Sequence, residues 1–186
     1  MIERIIEQRR RDLGGHLEVG RVLPFAQQRM VGPFIFFDHM GPVDLPPGIG
    51  HNVDVRPHPH IGLSTVTYLL SGEVMHRDSV GSEQLIRPRA VNWMTAGSGI
   101  TNSERFEHAR AHGDRLHGIQ AWVALPSEQE ETAPSFSHHS SADLPQWNDA
   151  GVSGQLIAGS AYGLTAGPQT HSPLFYAHLD LAPGAT

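Results

Sequence analysis

Two histidines in a proline-bounded segment have the clearest spacing for chemistry in this 186-residue chain. His58 and His60 lie in Pro57-His58-Pro59-His60, and side chains two residues apart point to the same side of an extended strand. Two imidazoles that face one pocket suit Zn, Fe, Ni or Cu. The alternative is a pair of solvated histidines in a proline-rich surface loop, which is the commoner origin of a bare His-x-His.

A second segment, Gly99-Ile100-Thr101-Asn102-Ser103-Glu104, places Asn102 and Glu104 on one face of a predicted strand. The acid ends a stretch of apolar and small residues, where a buried carboxylate is costly unless a cation or hydrogen-bond donors compensate it. Two histidines and one carboxylate form the ligand set typical of non-haem iron sites. A solvated Glu104 at a strand end, beside Arg105, is the alternative, and the spacing leaves both open.

The composition limits the ligands and partners of such a site. All 13 cationic residues are arginines, and the formal net charge is −6, which argues against a nucleic acid or an anionic membrane as the primary partner. The chain has no cysteine, so disulfides, thiolate metal sites and a cysteine nucleophile are excluded. Any metal must therefore bind nitrogen and oxygen, and 13 histidines supply the nitrogen.

The amino terminus has no signal-like segment. Its apolar runs are two residues long, whereas a secretory signal needs about 7–15 apolar residues and a membrane span about 20. We therefore expect a cytoplasmic protein with no membrane partner.

The elements that must position these side chains are short strands. The chain contains 20 glycines and 14 prolines, and turn residues bound runs rich in β-branched and aromatic residues. The predicted strands cover residues 34–37, 63–70, 73–77, 83–87, 91–95, 99–104, 116–125 and 154–158. This pattern predicts an all-β barrel or sandwich. Residues 2–11 are compatible with a short helix or an edge strand.

Four segments carry a resemblance to a known family. RVLPFAQQRMVGPFIFFDHMGP (21–42), RPHPHIGLSTVTYLLSGEVMHRDSVGS (56–82), IRPRAVNWMTAGSGITNSE (86–104) and LHGIQAWVALP (116–126) together resemble the pirin family of the cupin superfamily. The segments LIAGSAYG (156–163) and SPLFYAHLDLAPGA (172–185) are similar to the start of that family's carboxy-terminal half.

The resemblance implies a jelly-roll-like, cupin-type β-barrel followed by an incomplete second cupin domain. We expect the barrel to span residues 1–125, a polar connector to span 126–150, and the second domain to begin at 151–186. A tail of this length cannot bury a core alone, so it should pack onto the first unit.

The resemblance also implies one metal ion in the first barrel, usually iron, held by three histidines and a glutamate. His58, His60 and Glu104 match three of these ligands, but Asn102 stands where the family has its third histidine. An amide oxygen is a poor donor for a borderline-soft metal. Three outcomes remain open: Asn102 coordinates through oxygen, the other three residues hold the metal alone, or the site is empty. Iron is the favoured ion, with Mn, Ni, Cu and Zn as alternatives.

The activity that the resemblance implies is that of a quercetin 2,3-dioxygenase, which opens a flavonol-like aromatic substrate with O₂. Glu104 is then the candidate catalytic base. An apolar lining from Phe34, Phe36, Trp93 or Met94 could contact the planar substrate.

The alternative function is that of a non-catalytic regulator, a transcriptional co-regulator or a modulator of a metabolic enzyme, which binds a protein partner. An incomplete second barrel also exposes a strand edge, which makes a homodimer plausible.

The remaining histidines have weaker signals. His76, in His76-Arg77-Asp78, either reaches the same pocket or forms a surface pair. His117 is predicted to be an ordinary strand histidine with a local partner. His138 and His139 fall in the predicted connector and are expected to be solvated.

Overall fold

The computed structural model describes residues 4–13 and 17–185, which form antiparallel β-structure with little helix. Every run predicted as a strand overlaps an observed strand, with differences of one residue at some ends. The described part of the segment 2–11 enters an edge strand, whereas residues 2 and 3 lie outside the described residues. No helix within the described ranges is long and apolar enough to cross a membrane.

The described residues contain fifteen strands, one short α-helix and two 3₁₀ turns. The strands are β1 (Arg9–Asp12), β2 (Glu18–Leu23), β3 (Phe34–Leu45), β4 (Val55–His60), β5 (Leu63–Ser71), β6 (Val74–Asp78), β7 (Glu83–Ile86), β8 (Val91–Thr95), β9 (Ile100–Arg105), β10 (Asp114–Ala124), β11 (Ser135–His139), β12 (Gln146–Asp149), β13 (Val152–Ala161), β14 (Leu164–Thr165) and β15 (Phe175–Leu181). The helix is α1 (Glu107–His112).

Three sheets make up the structure. The main sheet has the order β1-β2-β3-β10-β5-β8-β11, and the second sheet has the order β4-β9-β6-β7. A core cluster joins the inner faces of these two sheets, with Met40, Leu69 and Leu116 from the main sheet and Val74 and Ile86 from the second. The third sheet comprises β12 to β15, with β13 at its centre.

The main sheet is buried on both faces, which explains why consecutive residues of β5 are buried although they point to opposite faces. Alternate residues point to opposite faces of a strand, so Leu69 joins the inner core while Val66 and Tyr68 join an outer one. The outer core also contains Leu144 and Ile157 from the later part of the chain. The tail therefore packs onto the first unit, as its length predicts.

Polar contacts also tie β15 to the main sheet. The Tyr68 hydroxyl hydrogen-bonds to Gln155 Oε1 and His178 Nδ1, both at 2.8 Å. Arg89 Nη2 donates to Asp180 Oδ2 at 2.8 Å, although Arg89 sits in the left-handed region with φ of 64°. Glycine is the residue that adopts this conformation most readily, so Arg89 occupies an unusual backbone position.

The segment predicted as a connector, 126–150, contributes two strands. β11 pairs with β8 at the edge of the main sheet, and β12 pairs with β13. The expectation of a solvated His138 is wrong, because this side chain is half-buried and its Nδ1 hydrogen-bonds to Asn92 Oδ1 at 2.7 Å. His139 is half-buried on the same strand and contacts Ser137 Oγ at 3.2 Å.

Asp54, which directly precedes β4, is hydrogen-bonded to Phe106, which directly follows β9. Its buried carboxylate accepts hydrogen bonds from the Phe106 amide at 3.1 Å and from Arg110 Nη2 at 2.8 Å, and it contacts His51 Nδ1 at 2.9 Å. Burial acts to raise the pKa of Asp54, but these hydrogen bonds outweigh it and hold the pKa below its ordinary value of 3.8. The ionised carboxylate therefore stabilises the native fold.

We expect Asp54→Asn to lower the free energy of unfolding at neutral pH by about 2–3 kcal/mol, because hydrogen bonds to a buried charge are lost. A depressed native pKa means that the stabilisation is present above the unfolded pKa and disappears as the pH falls through the native one. Urea denaturation at pH 7 and again below about pH 3 measures both effects.

The matched control is Asp44→Asn, since Asp44 pairs with Arg115 at 3.0 Å on the exposed surface. This change should stay within about 0.5 kcal/mol of the wild type. An equal effect of both substitutions would contradict a special contribution from Asp54.

Candidate functional site

The strand register brings the predicted site residues together. β4 and β9 pair antiparallel with His58 opposite Asn102 and His60 opposite Ile100. Glu104 lies two residues beyond Asn102 on β9 and therefore on the same face. His58, His60 and Glu104 line one wall of the cavity between the main and second sheets, so three of the four predicted residues lie at that wall.

The two histidines differ in their surroundings. His58 Nδ1 lies 2.9 Å from the Arg56 carbonyl oxygen, to which it donates a hydrogen bond, so Nε2 is the nitrogen left for another partner. The rings of His58 and His60 are 4.8 Å apart at 73°. Burial, followed by the proximity of His58, lowers the pKa of His60 to about 4, so His60 is neutral at physiological pH. Neutral imidazole is the form that binds metals.

Asn102 and Glu104 form a buried pair with unused oxygens. Asn102 Nδ2 donates to Glu104 Oε1 at 2.9 Å. Asn102 Oδ1 and Glu104 Oε2 are both buried and have no hydrogen-bond partner among the described residues. Burial raises the pKa of Glu104 despite the nearby histidines. Unpaired buried oxygens are unfavourable, and a bound cation is one arrangement that would satisfy both.

The donor chemistry fits a divalent cation, because two imidazole nitrogens, a carboxylate and an amide oxygen come from neighbouring strands. The described part of the chain nevertheless contains no group of three or more His, Cys, Asp or Glu side chains arranged to hold a metal. His58, His60 and Glu104 therefore line one cavity without forming a ready-made set of three ligands, and Asn102 beside them donates to the glutamate.

His76 lies close to the candidate site but contacts other groups. It is opposite Glu104 in the β6–β9 pair, yet its Nε2 bonds to Asp78 Oδ2 at 2.9 Å and its ring stacks on Phe136 at 4.5 Å. The pair with Asp78 is buried rather than on the surface. His117 behaves as predicted, since its Nε2 lies 2.8 Å from His39 Nε2.

The interior between the main and second sheets encloses a cavity of about 310 Å³. Rings and charges form a continuous wall. The Arg21 guanidinium lies 4.4 Å from the Phe36 ring, Phe36 stacks on Trp122 at 4.1 Å, and Trp122 meets His60 edge-on at 5.1 Å. The wall therefore runs from a charged residue on β2 to a candidate ligand on β4.

The predicted apolar lining is correct for Phe36 and wrong for Phe34, Trp93 and Met94. Phe34 and Trp93 pack in the outer core, on the far face of the main sheet. Met94 packs in a separate inner cluster with Ile100. Trp122 was missed, although the alternation of β10 could have indicated it, because Gln120 and Trp122 share the inner face.

A buried ion pair closes the far end of this wall. Arg21 Nε and Nη2 donate to the two oxygens of Asp38 at 2.9 Å and 2.8 Å. Asp38 is only 2% exposed, and the hydrogen bond to it raises the pKa of Arg21. The bidentate geometry compensates a carboxylate that would otherwise be buried without a partner.

The antiparallel sheets enclose nitrogen and oxygen donors in a partly aromatic cavity, which is an arrangement that cupin-type proteins have. Comparison with known proteins agrees. The pirin family profile matches residues 16–123, which is more than half of the chain. The chain belongs to the pirin family.

Individual relatives support this assignment. A pirin-like protein from Caulobacter vibrioides is 59% identical over 187 residues, which cover 100% of this chain and 65% of that protein. The crystal structure of a quercetin 2,3-dioxygenase from Acinetobacter baumannii is 39% identical with a TM-score of 0.87, and the match covers 94% of this chain and 56% of that one. The crystal structure of GK1651 from Geobacillus kaustophilus is 27% identical with a TM-score of 0.80, covering 97% and 68%.

The chain thus spans about two thirds of the length of the Caulobacter relative and just over half that of the Acinetobacter one. Its cupin-type, all-β fold is the one that the sequence resemblance implies.

We expect Arg21→Met to destabilise the protein by about 3–5 kcal/mol, because Asp38 is left buried without its partner. The double variant Arg21→Met/Asp38→Leu should recover most of this loss, since apolar groups replace both charges. Urea denaturation of the wild type, both single variants and the double variant measures the coupling. A double variant no more stable than Arg21→Met would contradict the assignment of the cost to the unpaired carboxylate.

Proposed function

We propose that this chain carries the metal-dependent active site of a dioxygenase that opens flavonol-like substrates with O₂. One observation carries the proposal: His58, His60 and Glu104 line one wall of a cavity whose adjoining wall is aromatic. A planar phenolic molecule suits such a space, since it combines apolar ring faces with oxygen substituents. The similarity to a quercetin 2,3-dioxygenase from Acinetobacter supports the same substrate class.

The proposed metal ligands are His58, His60 and Glu104, with the Asn102 amide oxygen as a weak fourth. A bound divalent ion, iron first and Mn, Ni, Cu or Zn as alternatives, would supply Lewis acidity towards the substrate hydroxyl and a route for electrons to O₂. The unengaged Nε2 of His58 and the unpartnered oxygens of Asn102 and Glu104 support this assignment.

The chain's own residues would bind and orient the substrate. Phe36 and Trp122 would contact the ring system and exclude water from that side of the cavity. In the arrangement in which Glu104 does not ligate the ion, it would take the proton of the substrate's 3-hydroxyl on Oε2, the oxygen that Asn102 leaves free. Burial raises the pKa of Glu104, which makes it a stronger base than a solvated carboxylate once it is ionised.

Asn102 favours a second function, that of a regulatory protein without turnover. Its amide is a poor metal donor and already donates to Glu104, so the local hydrogen bonding is compatible with a weakly occupied site. In this case the barrel would present a surface to a protein partner.

Asn102→His should raise the affinity for Fe(II) by at least about tenfold, because an imidazole replaces an amide as the fourth donor. Competition with a chelator of known affinity measures the change. Asn148→His, on the exposed strand β12, is the matched control and should leave the affinity unchanged. An unchanged affinity in Asn102→His would mean that residue 102 does not contribute to a metal site.

His58→Ala and His60→Ala should each lose bound metal while the barrel stays folded. Elemental analysis, circular dichroism and thermal unfolding measure the two effects. His117→Ala, on β10 with a histidine partner on β3, is the control and should retain metal. Unfolding of the His58 or His60 variant would indicate that these side chains serve the fold instead.

Glu104→Ala should abolish the loss of quercetin absorbance under O₂ in metal-loaded protein, because no other proposed group takes the hydroxyl proton. Activity of the wild type together with inactivity of the variant supports the enzyme. If wild-type protein shows no turnover after it is loaded with Fe(II), Mn(II) or Ni(II), the result contradicts the dioxygenase and favours the regulator.

A further inference from the structure

Gln120 presents an unused hydrogen-bond donor to the cavity. Its Oε1 accepts a hydrogen bond from Thr67 Oγ1 at 2.8 Å, and Nε2 has no protein partner within residues 4–13 and 17–185. Gln120 lines the cavity two residues before Trp122, about 7 Å along β10. Because the threonine fixes the amide, the donor is held in place before any ligand arrives.

Gln120 belongs to a polar row that crosses four adjacent strands. The register places Arg21 beside Asp38, Asp38 beside Gln120, and Gln120 beside Thr67. All four residues line the cavity. Arg21 donates to Asp38 through Nε and Nη2. Its Nη1 has no hydrogen-bond partner in the described structure. This side of the cavity therefore has more donors than acceptors.

The row and the candidate metal ligands lie on different sheets. Arg21, Asp38, Gln120 and Thr67 come from the main sheet, whereas His58, His60 and Glu104 come from the second sheet. Phe36 and Trp122 link the two ends through the wall that reaches His60. A ligand that contacts both ends must be planar or slender between them and must carry oxygen at each end.

We infer that Gln120 is a specificity-determining residue that selects flavonols with an additional ring oxygen, a hydroxyl or carbonyl that accepts a hydrogen bond from Nε2. The inference rests on the proposed function, since it assigns the second contact of the same substrate. A flavonol without that oxygen would bury the amide unpaired, which is the situation in which hydrogen-bonding sites discriminate most strongly.

Two probes separate this contact from the rest of the site. Quercetin and 3-hydroxyflavone share the 3-hydroxy-4-keto group. Quercetin carries further hydroxyls on its aromatic rings, whereas 3-hydroxyflavone has no hydroxyl besides the one at position 3. Binding to metal-loaded protein without O₂ is followed by quenching of tryptophan fluorescence, since Trp122 lines the cavity.

Gln120→Met keeps the length of the side chain and removes the donor. It should weaken quercetin binding about tenfold and change 3-hydroxyflavone binding by less than about twofold. With O₂ present, the variant should raise KM for quercetin more than it lowers kcat. Thr67→Val, which frees the amide to rotate, should reduce the preference for quercetin by a smaller factor.

Gln146→Met on β12 is the matched control and should bind both probes as the wild type does. Thermal unfolding checks that Gln120→Met is folded. Equal weakening of both probes would overturn the inference, because it would show that Gln120 only shapes the cavity, and unchanged quercetin binding would overturn it as well. Wild-type protein that binds neither probe would overturn the proposed substrate class and this inference together, whereas the Gln120→Met results overturn the inference alone.

Discussion

The antiparallel register of β4 with β9 is the constraint on which the site depends. It sets His58 opposite Asn102 and thereby puts Glu104 on the same inward face. A slip of one residue would turn every one of these side chains to the other face of the sheet. Asp54 fixes this register from outside the ladder, because its carboxylate joins the approach to β4 to the Phe106 amide at the end of β9.

The main sheet supplies the other half of the site because both of its faces are buried. Its inner face carries the polar row and the aromatic wall, while its outer face packs against the third sheet through Val66, Tyr68 and Trp93. Covering the outer face keeps the sheet rigid, so that Gln120 and Trp122 hold their positions without a ligand. The later part of the chain therefore supports the cavity although it contributes no residue to its lining.

Asn102 sets the electrostatics of the site in a specific way. The amide satisfies one oxygen of the glutamate and leaves the other without a partner. Burial then raises the pKa of Glu104, whereas His60 is kept neutral by its lowered pKa. The site contains the neutral His60 imidazole beside a proton-accepting carboxyl, which is compatible with metal binding and with proton transfer from a substrate.

Sequence by itself determined the strands, the shared face of His58 and His60, and an all-β barrel or sandwich, because alternation and turn residues are local signals. The cupin type followed from the resemblance to the pirin family. It also indicated Glu104, through the contrast between an acid and its apolar surroundings. The tertiary structure decided which aromatic residues reach the cavity: Trp93 and Trp122 lie in equally apolar strands but face opposite sides of one sheet. It likewise decided that Gln120 keeps a free donor and that His138 is half-buried. The positions of these side chains depend on which face of the main sheet packs against the second sheet and which against the third. The pairing of distant strands sets this arrangement, and local composition does not reveal it.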